Sequence, residues 1–369
     1  MSTKSPGRTA RAASVRRTVA RHITASCLAI AAAFLTFASA RAVTIDWVTV
    51  GDPGNAADDT GYGAVAYEYK IGKYEITIGQ YANFLNAAAK SDPYGLYKAD
   101  MGSNLYIAGI SRRGSSGAYT YSVMTAAGIA PYGGVSNANR PITYVSWFDV
   151  ARFANWMHNG QGNGSTETGA YTLVGGQVSG EAPARNPGAQ FYLPTANEWY
   201  KAAYYKGSGT NAGYWEYATQ SDAVPGNFIG SGTNQANWRL NGTTYSVTRS
   251  NTYSASQNYL TDVGTFSGSP SKYGTFDQSG NVMEWNDSPP LIDGAGNNVR
   301  GVRGGSAGYE ADLMAASTDF WSSTSSEYNS IGFRLASPVA VPEPSTSAMP
   351  LVGLACGGYS LFFRRRSAH

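Results

Sequence analysis

The residues best suited to chemistry lie in Tyr273-Gly-Thr-Phe-Asp-Gln-Ser-Gly-Asn-Val-Met-Glu-Trp285, where Asp277 and Glu284 stand seven apart across a turn marked by Ser279-Gly280. Such a turn can fold carbonyls inward between two carboxylates, giving the all-oxygen shell that a hard cation requires. The spacing equally suits a structural arrangement, with Asp277 capping the turn and Glu284 paired to Arg303 or Arg334. Further on, Gly301-Val-Arg-Gly-Gly-Ser-Ala-Gly-Tyr-Glu310 places Ser306 after two glycines. It lacks the Gly-x-Ser-x-Gly frame of a nucleophile elbow, and Glu310 and Asp312 read as solvated loop charges. Arg303 and Arg334 are expected in ion pairs within the fold.

Cysteine and histidine usage removes several chemistries. The two cysteines, Cys27 and Cys356, lie near the ends, so the body has no disulfide, no thiolate metal site and no cysteine nucleophile. Of the three histidines, His22, His158 and His369, one falls in the body, which excludes a multi-histidine metal site. His158 is expected at the end of a helix, as a charge favourable to its dipole.

Both ends carry address labels. The first forty residues hold Arg8, Arg11, Arg16, Arg17 and Arg21 without an acid, then the apolar run Ile23 to Phe37, then Ala38-Ser39-Ala40. This predicts a signal peptide over 1–40, cut by signal peptidase, too short in its apolar part to span a membrane. At the far end Val341-Pro-Glu-Pro-Ser345 precedes an apolar segment, 348–363, and Arg364-Arg365-Arg366. The order of these parts over 341–366 resembles the PEP-CTERM sorting signal. The resemblance implies a Gram-negative envelope, transient anchoring in the inner membrane through the terminal segment, processing by an exosortase, and delivery to the surface or extracellular matrix. Between the ends, residues 41–341 hold 18 Lys and Arg against 23 Asp and Glu. The body is therefore mildly acidic, which argues against nucleic acid as a partner and suits cation binding.

The elements that must position these residues are few. Gly, Asn, Ser, Thr and Tyr dominate, with turn-forming tracts from Gly160 to Gly169 and Gly207 to Gly213, which predicts a loop-rich domain. Strands are expected at Trp47 to Val50 and Tyr67 to Ile78, the second broken by Gly72. Three helices have start signals: one beginning near Thr77 and Gln80; Trp147 to His158 capped by Ser146, with a broad apolar face; and one opened by the capping box Thr195-Ala-Asn-Glu198 and running through Tyr205. No repeat or long linker appears, so one domain over 44–338 is predicted.

These elements carry ordered motifs: Gly72-Lys-Tyr-Glu-Ile-Thr77 with Gln80-Tyr-Ala-Asn-Phe-Leu85, Arg140-Pro-Ile-Thr-Tyr-Val-Ser-Trp-Phe-Asp149, Tyr192-Leu-Pro-Thr-Ala-Asn-Glu-Trp199, Gly280-Asn-Val-Met-Glu-Trp285, Arg303-Gly-Gly-Ser306 and Ile331-Gly-Phe-Arg334. Together they resemble the formylglycine-generating enzyme, or sulfatase-modifying factor, family. The resemblance implies an α+β, irregular, loop-rich fold of the C-type-lectin-like kind, often held together by calcium. It assigns calcium to the side chains of Asp277 and Glu284 and the carbonyls of Gly280 and Val282. It implies a second calcium position from the Asn237 side chain and the Trp238 carbonyl, although Asn251 to Asp262 departs from the family pattern. Family members that make formylglycine hold copper between two thiolates just after the Arg-Gly-Gly-Ser motif. Here those positions fall on Tyr309 and Met314, and soft thiolates have no substitute in a phenol. Met314, in Leu-Met-Ala-Ala, is expected in the core.

Copper-dependent oxidation is therefore not expected, and Ser306 and Tyr309 are expected as walls of a pocket. Three classes of function stay open. One is a matrix or binding protein holding a peptide, glycan or polymer, for which loops rich in Tyr, Trp, Asn and Ser are suited. Another is a divergent enzyme using a different metal or chemistry, and the third is a purely structural surface protein. A fold resemblance cannot choose among them.

Overall fold

Each of the three longer helices begins where a hydroxyl and a glutamine or carboxylate bracket its first turn. Thr77 with Gln80, Ser146 with Asp149, and Thr195 with Glu198 form reciprocal capping boxes, satisfying backbone groups that a helix start leaves unpaired. They open α1 (Ile78–Ala88), α3 (Trp147–His158) and α4 (Ala196–Tyr204), with a single turn, α2 (Asp100–Ser103), after α1. The structure is a computed structural model and describes residues 1, 42–128, 133–241 and 244–339. The chain divides into Met1–Ala42 and Val43–His369, and the description below concerns the second unit. The signal peptide over 1–40 and the sorting signal over 341–366 lie outside the described residues. Among the described residues, no helix is long and apolar enough to cross a membrane.

The strands are short: β1 (Trp47–Val50), β2 (Tyr69–Gly72), β3 (Ile110–Arg113), β4 (Thr120–Val123), β5 (Arg239–Leu240), β6 (Thr244–Tyr245), β7 (Met283–Trp285), β8 (Leu291–Ile292), β9 (Asn298–Arg303), β10 (Phe320–Ser323), β11 (Ile331–Phe333) and β12 (Ala336–Pro338). One sheet has the order β1-β2-β12, another β10-β9-β7-β11 with β8 on β9, and two hairpins stand apart. In the larger sheet β7 lies between β9, antiparallel, and β11, parallel. That central place buries all three of its residues, Glu284 among them.

Aromatic packing joins the helices to this sheet. Phe84 of α1 meets Phe153 of α3 at 5.3 Å, and Phe153 meets Phe333 of β11 at the same distance. Burial of such rings contributes roughly 1.5 to 3 kcal/mol each. The expected amphipathic α3 is instead buried from Trp147 through Met157. Its polar residues are absorbed by loop partners: Arg152 grips Glu167 through two 2.8 Å bonds, and Asn155 bonds the Thr166 carbonyl and the Tyr171 amide. At the end of α3, the His158 Nδ1 accepts the Gln190 N–H at 3.0 Å; the ring anchors a loop. The strand expected from Tyr67 to Ile78 shortens to Tyr69–Gly72, because Thr77 is consumed as the cap of α1. The helix expected through Tyr205 stops one residue earlier, with Tyr205 as its extended C-cap.

Asp149 gives a pH test of the α3 cap. Burial pushes its carboxyl up to about 7 from an ordinary 3.8, against the hydrogen bonds from Ser146 that hold it down. The folded state therefore keeps a proton that the unfolded chain has released, and this contribution to stability is present below about pH 4 and lost as pH rises through about 7. Asp149→Asn retains an acceptor for Ser146 and removes the titration. Its melting temperature is expected to fall less than that of wild type between pH 5 and 8; equal falls would contradict this.

Candidate functional site

Glu284 enters the interior on β7 with no exposure, and it arrives there partnered. Arg334, just beyond β11, donates its Nε to Oε2 at 2.6 Å and its Nη2 to Oε1 at 2.7 Å. Trp199 of α4 adds an indole N–H to Oε2 at 2.8 Å. The guanidinium also donates to the carbonyls of Gly72, Lys73 and Phe276 at 2.9, 3.3 and 2.8 Å. Burial alone would lower its pKa, and the charge and hydrogen bonds of Glu284, with the charges of Glu75 and Asp277, together raise it. Of the two partners open to Glu284 from the sequence, the structure selects Arg334. Arg303 turns to Asp319 at 3.1 Å and to the Thr318 carbonyl at 2.7 Å.

Asp277 is the other half of the motif, and its segment is tightly wound. Asp277, Gly280 and Asn281 all have left-handed backbones, with φ of 62°, 92° and 61°. At Gly280 a side chain is doubly barred, because a Cβ there would overlap the carbonyl of Asn237. The Asp277 Oδ2 accepts the Gly264 N–H at 2.6 Å. Burial pushes its carboxyl up to about 6, opposed by that bond and by Arg334.

A third carboxylate, which the sequence reading did not single out, completes the cluster. Glu75 is buried, and neither of its oxygens has a hydrogen-bond partner. Burial, then the charges of Asp277 and Glu284, raise its pKa well above the ordinary value, with Arg334 and Asn281 pulling the other way. Its signal was an acid set beside the apolar Ile76 at the entry to α1. Three carboxylates thus face one guanidinium, a deficit of two positive charges if all are ionised. Buried charge of that kind demands a proton or a cation. Among the described residues, no group of three His, Cys, Asp or Glu side chains could hold a metal, so a cation here would draw on backbone carbonyls such as those of Gly280 and Val282. The lone pairs of Glu284 Oε2 are both engaged, which leaves Oε1 as the side of Glu284 open to a cation.

The residues of the second expected calcium position make loop contacts. The Asn237 Nδ2 donates to the Tyr259 carbonyl and to the Asn281 Oδ1, both at 3.0 Å, and the Trp238 carbonyl accepts from Asn227 and Ser246 at 3.2 Å. These residues tie the 237, 259 and 281 segments together.

The expected pocket wall divides in two. Ser306 is buried, and its carbonyl accepts the Tyr309 N–H at 3.1 Å. Tyr309, 43% exposed, lines a cleft of about 440 Å³ with Phe320, Trp321 and Tyr328 around it and Asp293 and Asn297 at its polar side. Met314 is fully buried with Tyr217, Trp238 and Ala315, the core place expected for it. Glu310 stays on the surface, 3.7 Å from Arg239.

The fold and the cluster together define a class. The model of the sulfatase-modifying factor enzyme 1-like domain matches residues 56–339, and the chain belongs to that family. Its fold is the mixed α+β, loop-rich type of the formylglycine-generating group. No curated protein matches the chain. Among solved structures it is similar to one described as the crystal structure of CarF, with 23% identity, 80% of this chain and 99% of that chain covered, and a TM-score of 0.48. It is also similar to Treponema denticola variable protein 1, at 18% identity, coverages of 82% and 98%, and a TM-score of 0.44. PvdO from Pseudomonas aeruginosa follows at 16% identity, coverages of 80% and 93%, and a TM-score of 0.38.

The indole bond can be tested alone. Trp199→Phe keeps an aromatic side chain but deletes the N–H to Glu284 and part of a fully buried ring; hydrogen bonds to charged groups contribute about 1.5 to 3 kcal/mol, and a loss of at least that size is expected in urea unfolding. A loss below about 0.5 kcal/mol would contradict the assigned bond.

Proposed function

We propose that this is an exported binding domain that keeps the scaffold of its family and replaces the thiolate copper centre with an aromatic-rimmed cleft. One observation carries the reading: where the family resemblance puts its first thiolate, Tyr309 presents a phenol at the cleft mouth, and the second position, Met314, is core. Neither group is the soft anion that Cu(I) needs. The exposed rings of Tyr309, Phe320 and Tyr328 offer rigid contact area at low entropic cost to a peptide, glycan or polymer. The terminal segments support the setting, a surface or extracellular matrix reached through signal peptidase and an exosortase, and the acidic body supports a partner other than nucleic acid. With copper and oxygen supplied, a sulfatase-motif peptide is expected to keep its mass. A mass loss at its cysteine would establish a divergent enzyme instead.

Calcium belongs to the same proposal, held by Asp277, the free side of Glu284 and the carbonyls of Gly280 and Val282. What supports it is the excess negative charge around Glu75, whose buried oxygens close no hydrogen bond, with the Asn281 amide the donor acting on them. Excess calcium should raise the melting midpoint by several degrees and a chelator should lower it, with Asp277→Ala abolishing the response. The same midpoint under all three conditions would mean that Glu75 carries a proton and no ion is bound.

A further inference from the structure

A separate cleft of about 610 Å³ opens between the 61–67 loop, residues 181–185, the start of α4 and the 287–290 turn. It shares no lining residue with the cleft at Tyr309, and its volume falls within the roughly 300 to 1,000 Å³ of small-molecule sites. Arg185, Arg300 and Asp287 are among its lining residues, and the ion pairs of the two arginines do not close. Arg300 stands 3.7 Å from Asp287, and Arg185 stands 3.9 Å from Glu198, both too long for hydrogen bonds.

Groups are consequently left wanting. The Arg300 side chain is 4% exposed, with two N–H bonds to the carbonyls of Ser288 and Ala182, yet its Nε has no partner, and neither has the Arg185 Nη1. Asp287 accepts one long bond, 3.4 Å, from Tyr171. Buried polar atoms are rarely left in this state; both nitrogens are themselves shut off from solvent, and what Arg185 offers the cleft is the remainder of a side chain that is 28% exposed.

Charge and shape narrow the class of ligand. Two guanidiniums, Arg185 and Arg300, and two carboxylates, Asp287 and Glu181, are among the lining residues, with Glu198 buried beyond Arg185. An oxyanion would meet those acids and a cation the arginines, each desolvated. Hydroxyls serve both, accepting from arginine N–H groups and donating to Asp287. Tyr67, 47% exposed, and the exposed Pro289 and Pro290 supply flat apolar faces of the kind that pack on sugar C–H groups. We propose that this cleft binds a neutral saccharide unit, at a site independent of the Tyr309 cleft.

Its test uses the purified protein on immobilised oligosaccharides: neutral hexose and N-acetylhexosamine chains beside glucuronate-containing and sulfated ones. The protein is expected to bind at least one neutral chain. Ala66→Trp, which fills the cleft from an exposed position, should weaken that binding at least tenfold at an unchanged melting temperature, and Val174→Ala, exposed and outside both clefts, should leave it within twofold. Ala64→Trp, also exposed and lining the cleft, is the second blocking variant should Ala66→Trp fail to fold. Binding to no neutral chain, binding to acidic chains only, or binding that survives both tryptophans would each overturn the proposal.

Discussion

The buried ion pair of Glu284 and Arg334 is the constraint on which the rest of the domain depends. Arg334 reaches Gly72 and Lys73 at the end of the β1-β2-β12 sheet, Phe276 in the loop before β7, and Glu284 within the larger sheet. Trp199 brings α4 to the same carboxylate. In a chain with short strands and much irregular backbone, this one junction fixes both sheets and a helix at a common point. A buried pair need not stabilise more than apolar residues of the same volume would, because desolvation opposes its attraction. Its geometry is nevertheless specific, since each guanidinium N–H has a designated acceptor and no other packing of the sheets supplies the set.

That specificity has an electrostatic consequence. Arg334 neutralises one carboxylate in a group of three, and Glu75 and Asp277 remain in the same low-polarity surroundings. The family scaffold thus carries a built-in demand for positive charge beside the tightly wound 277–281 segment, where Gly280 is held against the Asn237 carbonyl. A cation bound there would act on fold stability. The aromatic cleft adjoins the same sheet, since Met283 of β7, Val302 of β9 and Ile331 of β11 are among its lining residues.

Much of the architecture was legible in the sequence because it is locally encoded. The capping boxes at Thr77, Ser146 and Thr195 announce the helices in four-residue patterns, and the Asp277 to Glu284 spacing announces a carboxylate pair and its turn. What escaped reading depends on distant segments. The full burial of α3 follows from partners in the loops at Thr166 to Gln177, and Glu75 matters through neighbours some two hundred residues later. Ser306 and Tyr309, three apart, separate into core and surface because the backbone turns between them. The cleft between the 61–67 loop and the 287–290 turn was invisible for the same reason: its lining brings together Arg185, Asp287 and Arg300, whose relation exists only after the chain has folded.

The central claim, that the Glu284 and Arg334 pair organises the domain, is most directly tested by a double-mutant cycle of Glu284→Gln, Arg334→Met and the double variant in denaturant unfolding. Breaking a buried pair by removing one partner typically costs about 3 to 5 kcal/mol. The account predicts losses of that order for each single change and a double variant far more stable than their sum, with a coupling of about 3 kcal/mol. Effects that add to within about 0.5 kcal/mol would contradict it.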